Sequence, residues 1–155
     1  MQDVERVLAE LPARRDREPV VGEGEGGDDT TAIDRAAENV LVARFRELDA
    51  TIVSEEIGEL GDGRYRIVID PIDGSLNAKR GIPFFSLSLA VADGDCMDDV
   101  FFGYVYDFGS REEWTGRRGD GAYLDGAPLD VEGRSRVVAA GTPKLCRQLA
   151  HALSA

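Results

Sequence analysis

The sequence predicts an α+β fold, with helices packed on a mostly antiparallel sheet. Three observations carry this expectation. Stretches with helical spacing occupy the first third of the chain, and short β-branched and aromatic runs fill the rest. Asp-Gly and Gly-Asp pairs divide those runs at Asp93-Gly94-Asp95, Gly119-Asp120-Gly121 and Asp125-Gly126, as in a meander of short strands. Helices followed by a run of strands place the helices on one face of the sheet.

The elements follow in order. Val4, Val7, Leu8 and Leu11 recur at helical spacing and stop at Pro12, which predicts a short first helix. Residues 13–29 are charged and glycine-rich and read as a mobile loop. Thr30 or Thr31 is a good N-cap for an amphipathic helix through Ile33, Ala36, Ala37, Val40, Leu41, Phe45 and Leu48. Thr51–Ser54 is a short strand running into Glu55-Glu56, and Tyr65–Ile69 is another that ends at Asp70. Further strands are expected over residues 84–92, 100–106, 113–115, 122–124 and 136–139, with one more helix over 143–153. No internal repeat and no long linker appears, so residues 1–155 read as one domain.

Composition narrows the function classes. With 43% hydrophobic and 31% charged residues, the chain is ordinary for a globular protein. No apolar run reaches the roughly 18 residues a membrane span needs. The start, Met1 to Arg6, lacks the basic and apolar regions of a signal peptide, so a cytoplasmic location is expected. Cys96 and Cys146 read as buried thiols rather than a disulfide framework or a metal knuckle. A net charge of -12 repels nucleic acid and anionic lipid, and neither is expected as a partner. Lys79 and Lys144 are the only lysines among 18 basic residues. Strong acidity with scarce lysine resembles proteins of salt-loving microbes, and a GC-rich genome favouring arginine codons would give the same bias.

The chemistry concentrates at Ile67-Val68-Ile69-Asp70-Pro71-Ile72-Asp73-Gly74-Ser75-Leu76-Asn77. An apolar strand delivers Asp70 at its end, Pro71 fixes a turn, and Asp73 returns a second carboxylate to the same place. Two such carboxylates repel unless a cation lies between them, and a hard cation such as Mg2+ suits oxygen ligands. Gly74-Ser75 offers backbone N–H groups to a phosphate oxygen at the start of a helical turn. Asp, Pro and Gly are also turn formers, so a plain turn accounts for the segment when it is taken alone. Glu55 ends an apolar run of its own and would reach the same cation from an adjacent strand; a solvated acidic loop is the alternative. Asp34, one turn into the second helix, is a third candidate, with simple favourable charge at a helix N-terminus as its alternative.

Together these residues resemble the inositol monophosphatase and fructose-1,6-bisphosphatase superfamily. Asp70 to Asn77 resembles its Asp-Pro-Ile-Asp-Gly-Thr signature, and the upstream order also matches, with Thr31-x-x-Asp34 and then Glu55-Glu56. Gly81-Ile82-Pro83-Phe84-Phe85 and Gly141-Thr142-Pro143-Lys144-Leu145 look most like the archaeal members. The resemblance implies the N-terminal half of a layered α/β/α/β/α sandwich and Mg2+-dependent hydrolysis of inositol monophosphate, fructose 1,6-bisphosphate or both. It implies two or three Mg2+ ions: one on Glu55, Asp70 and the carbonyl of Ile72, a second on Asp70 and Asp73, and a weaker third leaning on Glu55. Ser75, where the family usually has Thr, would act with Asp34 to orient and deprotonate the attacking water. The amides of Gly74 and Ser75 would bind the phosphate. His151 matches no family role and reads as an exposed structural residue.

Two departures from the family pattern stand out. The family's later half carries a Trp-Asp-x-Ala-Ala-Gly segment that completes the second metal site and the ring pocket, and Trp114-Thr115-Gly116 is not that segment. Ala78 stands where an aromatic residue usually follows the Asn. A missing layer would expose apolar surface, so self-association or pairing with a separately encoded second half is expected. The rival expectation is a catalytically incomplete, metal-binding remnant.

Overall fold

The computed structural model describes residues 1–25, 27 and 29–129. The chain runs α1 (Gln2–Glu10), α2 (Arg14–Arg17), β1 (Val20–Glu23), β2 (Asp29–Thr31), α3 (Ala32–Phe45), β3 (Ala50–Ser54), β4 (Gly58–Leu60), β5 (Tyr65–Asp73), α4 (Ser75–Arg80) and β6 (Ser86–Ala92). A 3-10 turn at Met97–Asp99 leads into β7 (Val100–Asp107), β8 (Glu113–Arg117), β9 (Gly121–Leu124) and β10 (Ala127–Pro128). The expected strand over 136–139, the helix over 143–153, Cys146 and His151 lie outside the described residues.

Eight strands form one sheet in the order β10-β9-β8-β7-β6-β5-β3-β4. From β5 to β10 each strand pairs antiparallel with the next, as the Asp-Gly punctuation predicted. The β3–β5 pair is parallel, so the sheet is mixed. The sequence reading missed β4, which returns from β3 as an antiparallel hairpin arm before the chain crosses to β5 on the other side of β3.

Helices cover one face. Strand side chains alternate between faces, and Ile67, Ile69, Leu87 and Tyr106 meet Val4 and Leu8 of α1 and Ile33, Ala37, Leu41 and Val42 of α3 in one apolar cluster. On the opposite face Val68, Val105 and Trp114 remain exposed, beside Ala90, Gly103 and Gly116 at neighbouring register positions.

Several sequence expectations need correction. Residues 13–29 contain α2 and most of a small hairpin, in which Val20 pairs with Thr31 and Gly22 with Thr30. All four residues of β1 are exposed, so backbone pairing rather than burial holds the strand, and an apolar pattern could not reveal it. Helix α3 stops at Phe45, and Leu48 is exposed. Strand β6 begins at Ser86, because Phe84 stands out in solvent. Cys96 is exposed at the cap of the 3-10 turn, not buried. None of the described helices is long and apolar enough to cross a membrane.

Candidate active site

The site forms where β3 and β5 end side by side. Their parallel register pairs Ser54 with Ile69, so the next step along each strand brings Glu55 level with Asp70. The carboxyl ends of parallel strands are where open sheets place ligands. Beyond Asp70 the ladder with β6 breaks. Asp70 pairs with Ser88 and Asp73 with Ser86, which leaves one extra residue on β5. Pro71 has no N–H for the ladder, and the amide of Ile72 turns to donate to Asp70 Oδ1 at 3.2 Å. The result is a β-bulge that re-aims both carboxylates.

Gly74 then takes a left-handed conformation, φ 91°, and caps α4. The amides of Ser75 and Leu76 open that helix and have no carbonyl one turn earlier to bond. Across the cavity, Thr31 caps α3. Asp34 Oδ2 accepts the Thr31 hydroxyl and the Thr31 backbone N–H, the latter at 3.3 Å. Asp34 thus closes a capping box at the N-terminus of α3, more than the simple favourable charge expected there, and the same side chain also lines the cavity.

A cavity of about 310 Å³ is lined by Asp29, Asp34, Glu55, Glu56, Asp70, Pro71, Ile72, Gly74, Ser75 and Lys79. It unites every sequence-derived candidate except Asp73, which is exposed and lines the adjoining cleft with Asn77 and Phe85, sharing Gly74 with the cavity. Ser75 and Asp34 share the cavity without hydrogen bonding to each other among the described residues. A larger cavity of about 700 Å³ lies between α1, α3 and the sheet, but apolar side chains dominate it and the acidic cluster is elsewhere.

Electrostatics mark Asp70. Burial raises its carboxyl to about 6, and the charge of Asp73 adds to the rise, followed by Glu55 and Asp34. The Ile72 amide opposes the shift. Behind the site, Glu38 of α3 is 1% exposed and accepts a 2.5 Å hydrogen bond from Ser54, the residue before Glu55. Its other oxygen, Oε2, is buried with no hydrogen-bond partner among the described residues. Burial raises the Glu38 carboxyl, and the charge of Glu56 adds to the rise against the Ser54 bond and Arg35.

The donor set suits a hard cation in kind, since the acidic side chains and the Ile72 carbonyl supply oxygen alone. Crowded carboxylates with Asp70 already displaced are what a cation would relieve. The cage is not closed: among the described residues no three acidic side chains are drawn in far enough to form a ready metal site.

Sequence reasoning missed Lys79, Glu38 and Asp29, and it gave Glu56 no role of its own. Glu56 accepts the Thr30 hydroxyl and so ties β2 to the turn after β3. Lys79 had a usable signal. It lies four residues after Ser75, and helical side chains lean toward the N-terminus, so its ammonium falls beside the first turn of α4. Glu38 had none, because an acidic residue in an amphipathic helix reads as solvent-facing.

The molecule is an α+β protein whose mixed sheet, with helices on one face, carries a carboxylate cavity beside helix-opening amides. The profile of the inositol monophosphatase family matches residues 4–152, and the chain belongs to that family. Over 129 residues it is 40% identical to a fructose-1,6-bisphosphatase/inositol-1-monophosphatase of Archaeoglobus fulgidus, covering 83% of this chain and 50% of that protein. It is 39% identical over 120 residues to the Nus factor SuhB of Pseudomonas aeruginosa, covering 74% and 43%. The crystal structure of an inositol monophosphatase-fructose 1,6 bisphosphatase superposes with a TM-score of 0.75 at 30% identity, over 86% of this chain and 52% of that one. The Thermotoga maritima IMPase superposes with a TM-score of 0.65 at 31% identity, over 85% and 50%. The chain thus spans about half the length of the relatives it matches.

Proposed function

We propose that this chain carries the metal-binding half of a Mg2+-dependent phosphomonoesterase acting on inositol monophosphate, fructose 1,6-bisphosphate or both. The observation that carries the reading is the meeting of Glu55 and Asp70 at the ends of adjacent parallel strands, in one cavity with Gly74, Ser75 and Asp34. Glu55, Asp70, the Ile72 carbonyl and, from the adjoining cleft, Asp73 would hold two or three Mg2+ ions. Divalent ions bound there would activate a water and stabilise charge on the attacking and leaving oxygens. The chain's own groups do the rest. The amides of Gly74 and Ser75 receive a phosphate oxygen, and the Ser75 hydroxyl orients the attacking water. The Asp34 carboxylate takes its proton.

A second reading, a catalytically incomplete remnant or one half of a split enzyme, draws on two observations. The chain spans half of its relatives' length, and one sheet face with Val68, Val105 and Trp114 lies open. A second copy or a separately encoded second half would cover that face.

Phosphate release from both substrates, with and without Mg2+ and beside an Asp70→Asn control, separates the readings. Mg2+-dependent release that vanishes in the control supports the enzyme. Mg2+ uptake with no release from either substrate supports the incomplete site.

A further inference from the structure

Lys79 is the one cationic side chain lining the carboxylate cavity among the described residues, against Asp29, Asp34, Glu55, Glu56 and Asp70. Its ammonium lies 3.4 Å from Asp34 Oδ2, and the two side chains are 16% and 11% exposed. That pair is more shielded from solvent than the other ion pairs of the described residues, apart from the longer contact between Arg35 and Glu38. All the partners of Asp34 fall on one oxygen: the Thr31 hydroxyl, the Thr31 amide and Lys79 meet Oδ2. Oδ1 has no partner among the described residues, so the three together leave the second oxygen of Asp34 free.

The residue type fits this task. The chain uses arginine for 16 of its 18 basic residues and places one of its two lysines here. A lysine ammonium is a compact point charge on a flexible stem, where a guanidinium would need room for a planar fork.

We propose that Lys79 is a positioning residue and the built-in counter-ion of this site. With no metal bound it neutralises part of the carboxylate cluster and holds Asp34 in its rotamer. A divalent cation entering the cavity meets its charge and is weakened by it. The second part rests on the reading of the cavity as a Mg2+ site; the first does not.

The test is Mg2+ titration by calorimetry on wild type, Lys79→Met, Lys79→Gln and Lys79→Arg, with the unfolding temperature of each metal-free protein. Loss of a positive charge this close to the cluster should tighten Mg2+ binding about tenfold in Lys79→Met and Lys79→Gln. It should also lower their metal-free unfolding temperature, while Lys79→Arg, which keeps the charge but needs room for its planar fork, stays near wild type in Mg2+ affinity alone. A lysine that merely packs its stem would leave Mg2+ affinity unchanged or weaken it. Affinity within twofold of wild type, or lower, in both neutral variants overturns the proposal; if Lys79→Met does not fold, Lys79→Gln decides. A wild type that takes up no Mg2+ overturns the phosphatase reading instead. The metal-free unfolding temperatures then decide for Lys79, with no drop in either neutral variant counting against it.

Discussion

Ser54 Oγ donates a 2.5 Å hydrogen bond to Glu38 Oε1, across the boundary between β3 and α3. The bond joins the residue before a candidate metal ligand to a buried acid whose second oxygen, among the described residues, has no hydrogen-bond partner and only a 4.0 Å contact with Arg35. Glu38 thus sits directly behind the site and anchors the strand end that presents Glu55.

A charged Glu38 is therefore a local cost. Glu38→Gln should stabilise the metal-free protein by about 1 kcal/mol, because a buried group short of a partner is destabilising and more so when charged. The pH dependence has a definite sign. The folded state raises the Glu38 carboxyl above its ordinary 4.5, so the native protein binds the proton more tightly. Its penalty is present at pH 7 and is relieved as pH falls toward 4.5. Urea unfolding of both proteins should show the advantage of the variant shrinking on acidification. An advantage that grows instead would mean Arg35 compensates the charge at neutral pH.

Asp70→Asn should abolish phosphate release yet raise metal-free stability, by on the order of 1 kcal/mol after allowing for partial exposure. The wild-type carboxyl is held against burial and the charges of Asp73, Glu55 and Asp34, and the amide removes that repulsion. Thermal unfolding in chelator checks it. A less stable variant would show that the Ile72 bond to Asp70 outweighs the crowding.

How far the site was legible follows from the same residues. The placement of Asp70 and Gly74 at the cavity could be read because turn chemistry and charge coincide in a short motif, and that of Glu55 because it ends an apolar run; Asp73, read from the same motif, faces the adjoining cleft instead. Asp34 had two readings, and the fold places it where both lead: it caps α3, and its side chain lines the cavity in which the proposed chemistry would occur. Glu38 was illegible as a site residue because its role comes from what packs around it, whereas Lys79, four residues after Ser75 on α4, carried a signal that went unread. The parallel β3–β5 pair was hidden too, since a hairpin and a crossover leave the same alternation in the sequence. Among the elements, β1 and β4 escaped because short exposed strands bury nothing.

Gly74→Ala should cost about 1–2 kcal/mol and disrupt phosphate release. Gly74 has φ 91°, and an added Cβ would lie 3.2 Å from the Phe84 carbonyl oxygen and 3.3 Å from Phe85 Cβ. Chemical denaturation gives the stability, and the assay with Mg2+ gives the activity. A neutral outcome in both would show that the turn has another conformation that serves.

Arg17→Ala should loosen α4 from the N-terminal helices. The Arg17 guanidinium donates to the Ala78 carbonyl at 2.8 Å and to the Leu11 carbonyl at 2.5 Å. Two charge-assisted bonds to backbone suggest a loss of about 1–3 kcal/mol. Amide exchange across Ser75–Arg80 should quicken while exchange in β6 stays slow, and equal quickening in both would argue against a local role.

The bulge between Asp70 and Asp73 sets foldability and chemistry in opposition. Deleting Pro71 would heal the ladder with β6, regain the pairing that Pro71 forfeits and leave a more regular strand. The same deletion would also flatten the bend that re-aims Asp70 and Asp73. On the proposed function the surplus residue serves the site at the expense of the strand, and its retention in a descendant of this chain would mark a site still in use.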